Sequence, residues 1–481
     1  MQSKSLFAAA LSLALIPFVI ADTTITINAL SNNGVWEGWG TSLAWWAQAF
    51  GDRDELADIF FTTNTVNFSG VNLPGLGLNI VRHNAGGSST TQVGSDGMVS
   101  STNIKPSRQV TGYWVDWLNT DPASSSWNWN NDLKQRTMME KARDRGANKF
   151  ELFSNSPMWW MVNNSNPSGA DDGGENIQSW NLATHAVYLA TVAKYAQDNW
   201  NITYESVEPF NEPSASWWVS NGTQEGCHMS LDSQNSIIGS LRSELNNRGL
   251  QNTFISASDE NNYDQAVQTL QGLSDDALKQ TGRINVHGYQ YGQGNRSGVN
   301  EIAVDRALAL WNSEYAESDS SGLNLTNNLI LDFRKLRPTA WVYWQVLDGG
   351  GWGVIDANND AGVVGAANQK YFTLAQFSRH IRQGMLILDG GADNVVAAYD
   401  SANSKLVIVA VNWGGAQNLE FDLGMFTQAS TDGAVVTRWR TMLGSGDQYI
   451  QSDDVKMTGT KFSVPFEQNM VQTFEVGNVK I

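Results

Sequence analysis

Two glutamates are the residues of this chain best placed to do chemistry: Glu212 in VEPFNEPSASWW (207–218) and Glu314 in LWNSEYAES (310–318). Each closes a short apolar segment, and they stand 102 residues apart, the length of three βα units of about 34 residues each. In a (β/α)8 barrel that spacing sets them at the ends of strands four and seven, facing each other across the mouth. Opposed carboxyls at one cleft suit glycoside hydrolysis. One is held protonated to donate to the leaving oxygen, the other stays ionised and attacks the anomeric carbon, and a gap of roughly 5–5.5 Å gives retention through a covalent intermediate. The bland alternative, a solvated or structurally paired strand-end glutamate, fits either acid alone better than both together. A third acid, Glu208, lies on the same stretch. Pro209 and Pro213 rule out a helix interior, so the segment is expected to be extended, with Glu208, Phe210 and Glu212 on one face. Glu208 lies deeper; it is expected to point into the barrel interior and to pair with an arginine such as Arg82, as scaffold.

The elements that must position these acids are legible as a series. Eight segments read as strand ends: 36–46, 77–87, 149–161, 204–213, 253–260, 283–291, 307–315 and 339–348. Helical patterns lie between them, including 131–146, 182–199 and 236–249. Strands alternating with helices predict a parallel α/β fold, a (β/α)8 TIM barrel over residues 34–385. KYFTLAQFSRHIRQG (370–384) reads as its last helix. Beyond it, short alternating runs such as KLVIVAVNW and AVVTRWRTML predict a C-terminal β-sandwich over 386–481. Residues 22–33 are expected to add a strand to it. No Pro/Ser-rich linker precedes the sandwich, so it is expected to pack rigidly on the barrel.

Composition narrows the partners. The formal charge is −18 with pI near 4.6, which repels nucleic acid and anionic membrane. Twenty tryptophans suit stacking on sugar faces, with large core aromatics as the competing explanation. The five histidines form no clustered set in the sequence, and neither a metal nor a cofactor is expected. Residues 1–21 read as a secretory signal peptide. Sequons at Asn67, Asn163, Asn201, Asn221, Asn295 and Asn324 fit an exported, extracellular glycoprotein. Cys227 is the only cysteine, so there is no internal disulfide. A monomer acting on polysaccharide or oligosaccharide is expected.

Asn211-Glu212-Pro213 and Glu314, with GWGTSLAWW, RHNAGG, NSPMWWM, VHGYQY and the closing helix, resemble glycoside hydrolase family 30, a retaining family. The resemblance runs from about Thr23 to the end and implies the barrel with its side sandwich. NSPMWWM and LWNSEYAE are similar to the fungal endo-β-1,6-galactanases, which cut galactan side chains of arabinogalactan proteins. The resemblance implies Glu212 as acid/base, Glu314 as nucleophile, and Asn211 as donor to the sugar 2-OH. It implies that Arg82 and Tyr289 hold the nucleophile ionised and that Asn155 and His287 bond the sugar or its neighbours. Trp344 would floor the cleft, and Trp46, Trp159 and Trp160 would wall it. Core packing competes for each tryptophan. The alternatives are the same mechanism on β-1,6-glucan or a glucuronoxylan, and a non-catalytic carbohydrate-binding cell-wall protein. A glucuronate reading wants an arginine fork, for which only Arg82, Arg283 and Arg296 lie near strand ends.

Overall fold

The computed structural model describes residues 22–481; the expected signal peptide lies outside the described residues. Eight parallel strands close into a barrel: β1 (Gly38–Ser42), β2 (Ile80–Asn84), β3 (Lys149–Phe153), β4 (Ser206–Glu208), β5 (Phe254–Glu260), β6 (Arg283–His287), β7 (Ala309–Glu314) and β8 (Ala340–Tyr343). All eight fall inside the segments read from the sequence. β8 pairs with β1 in parallel and closes the ring. β4 is short because Pro209 follows Glu208 and has no N–H to continue the ladder.

The helices form where apolar spacing and caps agree. Leu182–Asn199 buries Ala186, Leu189, Ala193 and Ala196 along one stripe. Leu231–Asn247 starts at Ser230, whose side chain accepts from Ser233 N; its start is five residues earlier than the apolar pattern suggested. The last barrel helix is shorter than expected, Gln369–Ser378. Two small sheets were not anticipated: the hairpin Thr65–Phe68/Val71–Pro74, and the set Leu347–Asp348, Ile355–Asn358, Val363–Ala367 that follows β8. Both are short and largely exposed, so they carry little hydrophobic signature.

The C-terminal region holds a six-stranded antiparallel sheet facing a three-stranded one. Thr23–Thr26 pairs in parallel with Gln417–Asp422 at the edge of the smaller sheet. The strand Lys405–Asn412 is not half-polar, as an alternating run would be. Leu406, Ile408 and Ala410 enter the core between the two sheets, while Val407, Val409 and Val411 pack into the barrel's apolar cluster. A sheet pressed between a barrel and a second sheet is buried on both faces, so its strand reads as a continuous apolar run. Thr473 Oγ1 donates to Gln376 O of the last barrel helix at 2.8 Å, fixing the joint.

Candidate active site

The chain reaches the barrel mouth differently at the two acids. Glu314 is the last residue of β7, where a bulge against β6 spans Asn312 to Glu314 and re-aims its side chain. Glu212 lies beyond the end of β4, at φ +49, in the left-handed region that a side chain other than glycine adopts at a cost of about 1–3 kcal/mol. Glu212 N donates to Asp259 O at 2.9 Å, and Trp218 Nε1 donates to Glu212 O at 3.0 Å; these bonds hold the turn. The segment is therefore not extended through residue 212, and Glu208 and Glu212 do not share a face by strand alternation.

Carboxyl oxygens of Glu212 and Glu314 and a ring nitrogen of His287 lie within 4.8 Å of one another. Their partners differ. Glu314 accepts from Tyr289 Oη at 2.9 Å and lies 3.4 Å from Arg82 Nη1. Glu212 accepts from Asn261 Nδ2 at 2.8 Å and from Trp217 Nε1 at 3.3 Å. His287 Nδ1 is 3.1 Å from Glu212 Oε1 and 3.6 Å from Glu314 Oε1, and Nε2 is 3.1 Å from Asp259 Oδ1. Burial alone would lower the imidazole pKa, but the Glu314 and Asp259 carboxylates outweigh it and raise it well above its ordinary value, keeping the ring cationic. By distance these three groups could ligate a cation, a grouping the sequence reading did not foresee, but only an imidazole that had given up its proton could join them.

Arg82 does not pair with Glu208. Its guanidinium is fully buried and bonds Glu151 at 2.7 Å and Asp259 at 2.5 Å, both closer than Glu314. Neither carboxyl oxygen of Glu208 has a hydrogen-bond partner. Burial raises that carboxyl well above the usual range, with the Asp259 and Glu151 charges adding to it, so Glu208 is a neutral acid inside the barrel. The same sharing changes Glu314. Burial pushes it up to about 7 against the pull of His287 and Arg82, with Glu212 adding to the rise. Tyr289 and Arg82 thus meet Glu314 as expected, but burial outweighs their pull and favours its neutral form below neutrality.

The cleft above the pair has a volume of about 600 Å³ and is walled by Trp45, Trp217, Trp344, Tyr291, Asn155 and Asn211 among others. Trp344 meets Trp45 edge-on at 5.1 Å. Asn155 brings Nδ2 and Oδ1, and Asn211 brings Oδ1, with no protein partner for any of the three. Three expected walls are elsewhere. Trp46 is buried edge-on against Phe60, with Nε1 donating to Ser42 O. Trp159 and Trp160 are buried behind Trp117, and Trp160 Nε1 donates to Trp114 O. Trp45, Trp217, Tyr291, Trp352, Arg108, Asp259 and Asn261 were not foreseen as site residues. TFISASDE and SASWW were already marked as a strand end and a paired-tryptophan run, and following each one step further would have found Asp259, Asn261 and Trp217.

Residues 19–280 match the profile of O-Glycosyl hydrolase family 30. The chain belongs to that family. It is a glycoside hydrolase on a (β/α)8 barrel with a side sandwich. It is 54% identical over 459 residues to an endo-beta-1,6-galactanase of Hypocrea rufa, covering 95% of both chains. It is 24% identical to an exo-beta-1,6-galactobiohydrolase of Bifidobacterium longum subsp. longum, over 68% of this chain and 27% of that one. The catalytic domain of xylanase C from Talaromyces cellulolyticus, also a family 30 enzyme, superposes with TM-score 0.70 at 20% identity, covering 94% of this chain and 99% of that one. That likeness is one of fold.

Proposed function

We propose that this hydrolase cuts β-1,6-linked galactan, the kind of side chain borne by arabinogalactan proteins, by double displacement with retention. The observation that carries the mechanism is the spacing within 4.8 Å among Glu212, His287 and Glu314 atoms. An inverting pair needs about 6.5–9.5 Å to seat a water between the carboxyls, so this geometry favours direct attack. Glu314 Oε forms a bond to the anomeric carbon while the glycosidic C–O bond breaks and Glu212 passes its proton to the leaving oxygen. Glu212 then takes a proton from water, whose oxygen attacks the same carbon and releases the Glu314 carboxylate.

The remaining residues follow from their places. Asn211 and Asn155 offer unpaired polar atoms to sugar hydroxyls. Trp344 is the floor under the ring. His287 is engaged by three carboxylates, so its part is to tune Glu212 and Glu314 and not to hold the sugar directly. The galactan assignment rests on the 54% identity across 95% of both chains to an enzyme of that name. Of the arginines near strand ends that a glucuronoxylan reading could draw on, Arg283 is buried with Glu151 and Arg296 with Asp332, which leaves only Arg108 of the cleft wall for an acidic sugar.

The reading includes export as a monomeric glycoprotein. All six sequon asparagines are exposed, and among the described residues no helix is long and apolar enough to cross a membrane. The test is reducing-end release from purified β-1,6-galactan, β-1,6-glucan and glucuronoxylan. A spread of oligosaccharides from galactan alone is expected; release only from another polymer overturns the substrate, and galactose or galactobiose alone from the start overturns internal cutting.

A further inference from the structure

The cleft does not stop at the two carboxyls. A second chamber of about 530 Å³ adjoins it, and Trp45, Arg108, Asp348 and Trp352 line both. Its outer walls come from the turn Pro106–Arg108 and from the small sheet after β8, including Asp356 and Val363. Ser107 N donates to Asp360 Oδ1 at 3.0 Å and ties these two walls together.

The wall between the chambers is equipped for sugar. The Arg108 guanidinium lies 4.5 Å over the Trp45 ring, and its side chain makes no hydrogen bond or ion pair to another described residue. A guanidinium held over an aromatic face presents a fork of donors. Trp352 is 37% exposed in a loop whose Gly350 and Gly351 take φ +65 and +80, a backbone path that only glycine follows without strain. Lys105 and Arg108 face Asp348, Asp356 and Asp360 in the second chamber. With cations outnumbered, the chamber disfavours an anionic ligand and suits hydroxyls, which donate to carboxylates and accept from the guanidinium.

Position gives the chamber its direction. Glu212 follows β4 and donates to the leaving oxygen, so the departing part of the chain lies on the side of Trp217, Asn261 and Tyr291, after β4, β5 and β6. The second chamber lies over β8, β1 and β2, across the ring. We infer that it is a glycone-side site for neutral hexose units beyond the ring being cleaved, with Arg108 and Trp352 reading them. This rests on the proposed galactanase reading and deepens it: the enzyme holds further units on the non-reducing side of the bond it cuts.

The experiment measures kcat/KM and bond-cleavage position on a ladder of reducing-end-labelled β-1,6-galacto-oligosaccharides, with the shortest substrate the wild type cleaves as reference. Val363→Trp fills the second chamber alone; Arg108→Ala removes a side chain that the fold does not hydrogen-bond. Both are expected to lower kcat/KM on the longer oligosaccharides by about tenfold or more, through KM, while Val363→Trp, which lies outside the catalytic cleft, changes the shortest by less than about twofold. For each variant the preferred cut should move toward the non-reducing end. Equal losses at all lengths, or no length dependence in the wild type, overturn the inference. Should the wild type ignore the galactan ladder and show the same length dependence on β-1,6-gluco-oligosaccharides, the substrate reading fails while the glycone chamber stands.

Discussion

Inside the barrel, Arg82, Glu151, Asp259, Arg283 and His287 are each at most 1% exposed. Inside the sandwich, the space between the sheets is filled by Ile408, Phe421, Phe462, Val464, Phe474 and similar apolar side chains. The sandwich core gains stability from burial without regard to direction, at roughly 25 cal/mol per Å². The barrel core gains little from its charges, since desolvation offsets most of the attraction between them. What the charges supply is aim. Burial alone would lift Asp259, but Arg82 and His287 hold its carboxyl well below its ordinary range, so it remains a charged anchor for both. A polar interior persists where orientation is needed, and an apolar one where only cohesion is.

The contrast is tested most severely at the anchored acid. Glu314→Gln keeps the shape of the side chain and removes the nucleophilic oxygen, so turnover of galactan should fall by about 10⁴-fold or more while oligosaccharide still binds. Kinetics with calorimetry on the same variant check both halves; substantial residual turnover moves the nucleophile elsewhere. Glu212→Ala should cost less, about 10²–10⁴ on polymer, and much less on an aryl β-galactoside whose leaving group needs no proton. Azide should restore turnover of this variant and yield a β-glycosyl azide, since attack on the Glu314 ester inverts a second time. In the wild type, activity should rise as pH climbs through about 7, where Glu314 loses the proton that burial keeps on it and becomes the charged nucleophile. A flat profile across that range would contradict this.

These residues were legible for a physical reason. A barrel strand repeats at a regular spacing and its active acid sits at a strand end, so Glu212 and Glu314 could be placed by counting. Arg108 could not: it lies on the long excursion between β2 and β3, where no periodicity fixes what returns to the cleft. Trp45 and Trp46 show the limit at one residue, because Ser42 ends β1 and the chain then turns, leaving Trp45 at the cleft and Trp46 against Phe60. Glu208 failed differently. Its inward direction followed from the strand, but its partner did not, since several acids surround Arg82 and sequence spacing does not rank their distances.

The apolar side of the contrast predicts a change of the opposite kind. Phe474 packs against Phe421 and Phe462 at 5.3 Å from each and is fully buried. Phe474→Ala should cost about 3–5 kcal/mol of stability while the folded fraction keeps its kcat, as read by denaturant unfolding alongside initial rates. A fall in kcat without loss of stability would mean that the sandwich helps to shape the site.

A pH-dependent effect separates two kinds of acid within the barrel region itself. Glu225 is fully buried; its Oε1 accepts from Ser88 Oγ and Val110 N, and its Oε2 has no partner. Burial outweighs those bonds and pushes its carboxyl up to about 8 from an ordinary 4.5. Glu260 is likewise lifted by burial, to about 7. Between the ordinary value and the raised one, the folded chain keeps a proton that the unfolded chain has released. Stability is therefore full below about 4.5 and falls as pH rises toward 8, by up to about 1.4 kcal/mol per pH unit for each such group. Asp259, depressed rather than raised, contributes a constant amount across this window, because both its folded and unfolded forms are ionised there. The melting temperature should thus decline between about pH 5 and pH 8, partly also through self-repulsion in a chain of formal charge −18. Glu225→Gln isolates the one carboxyl, since the amide copies its neutral form and leaves all other charges in place. Its melting curve should match the wild type near pH 5 and lie above it near pH 8; parallel curves would show that Glu225 ionises in the fold as freely as in the unfolded chain.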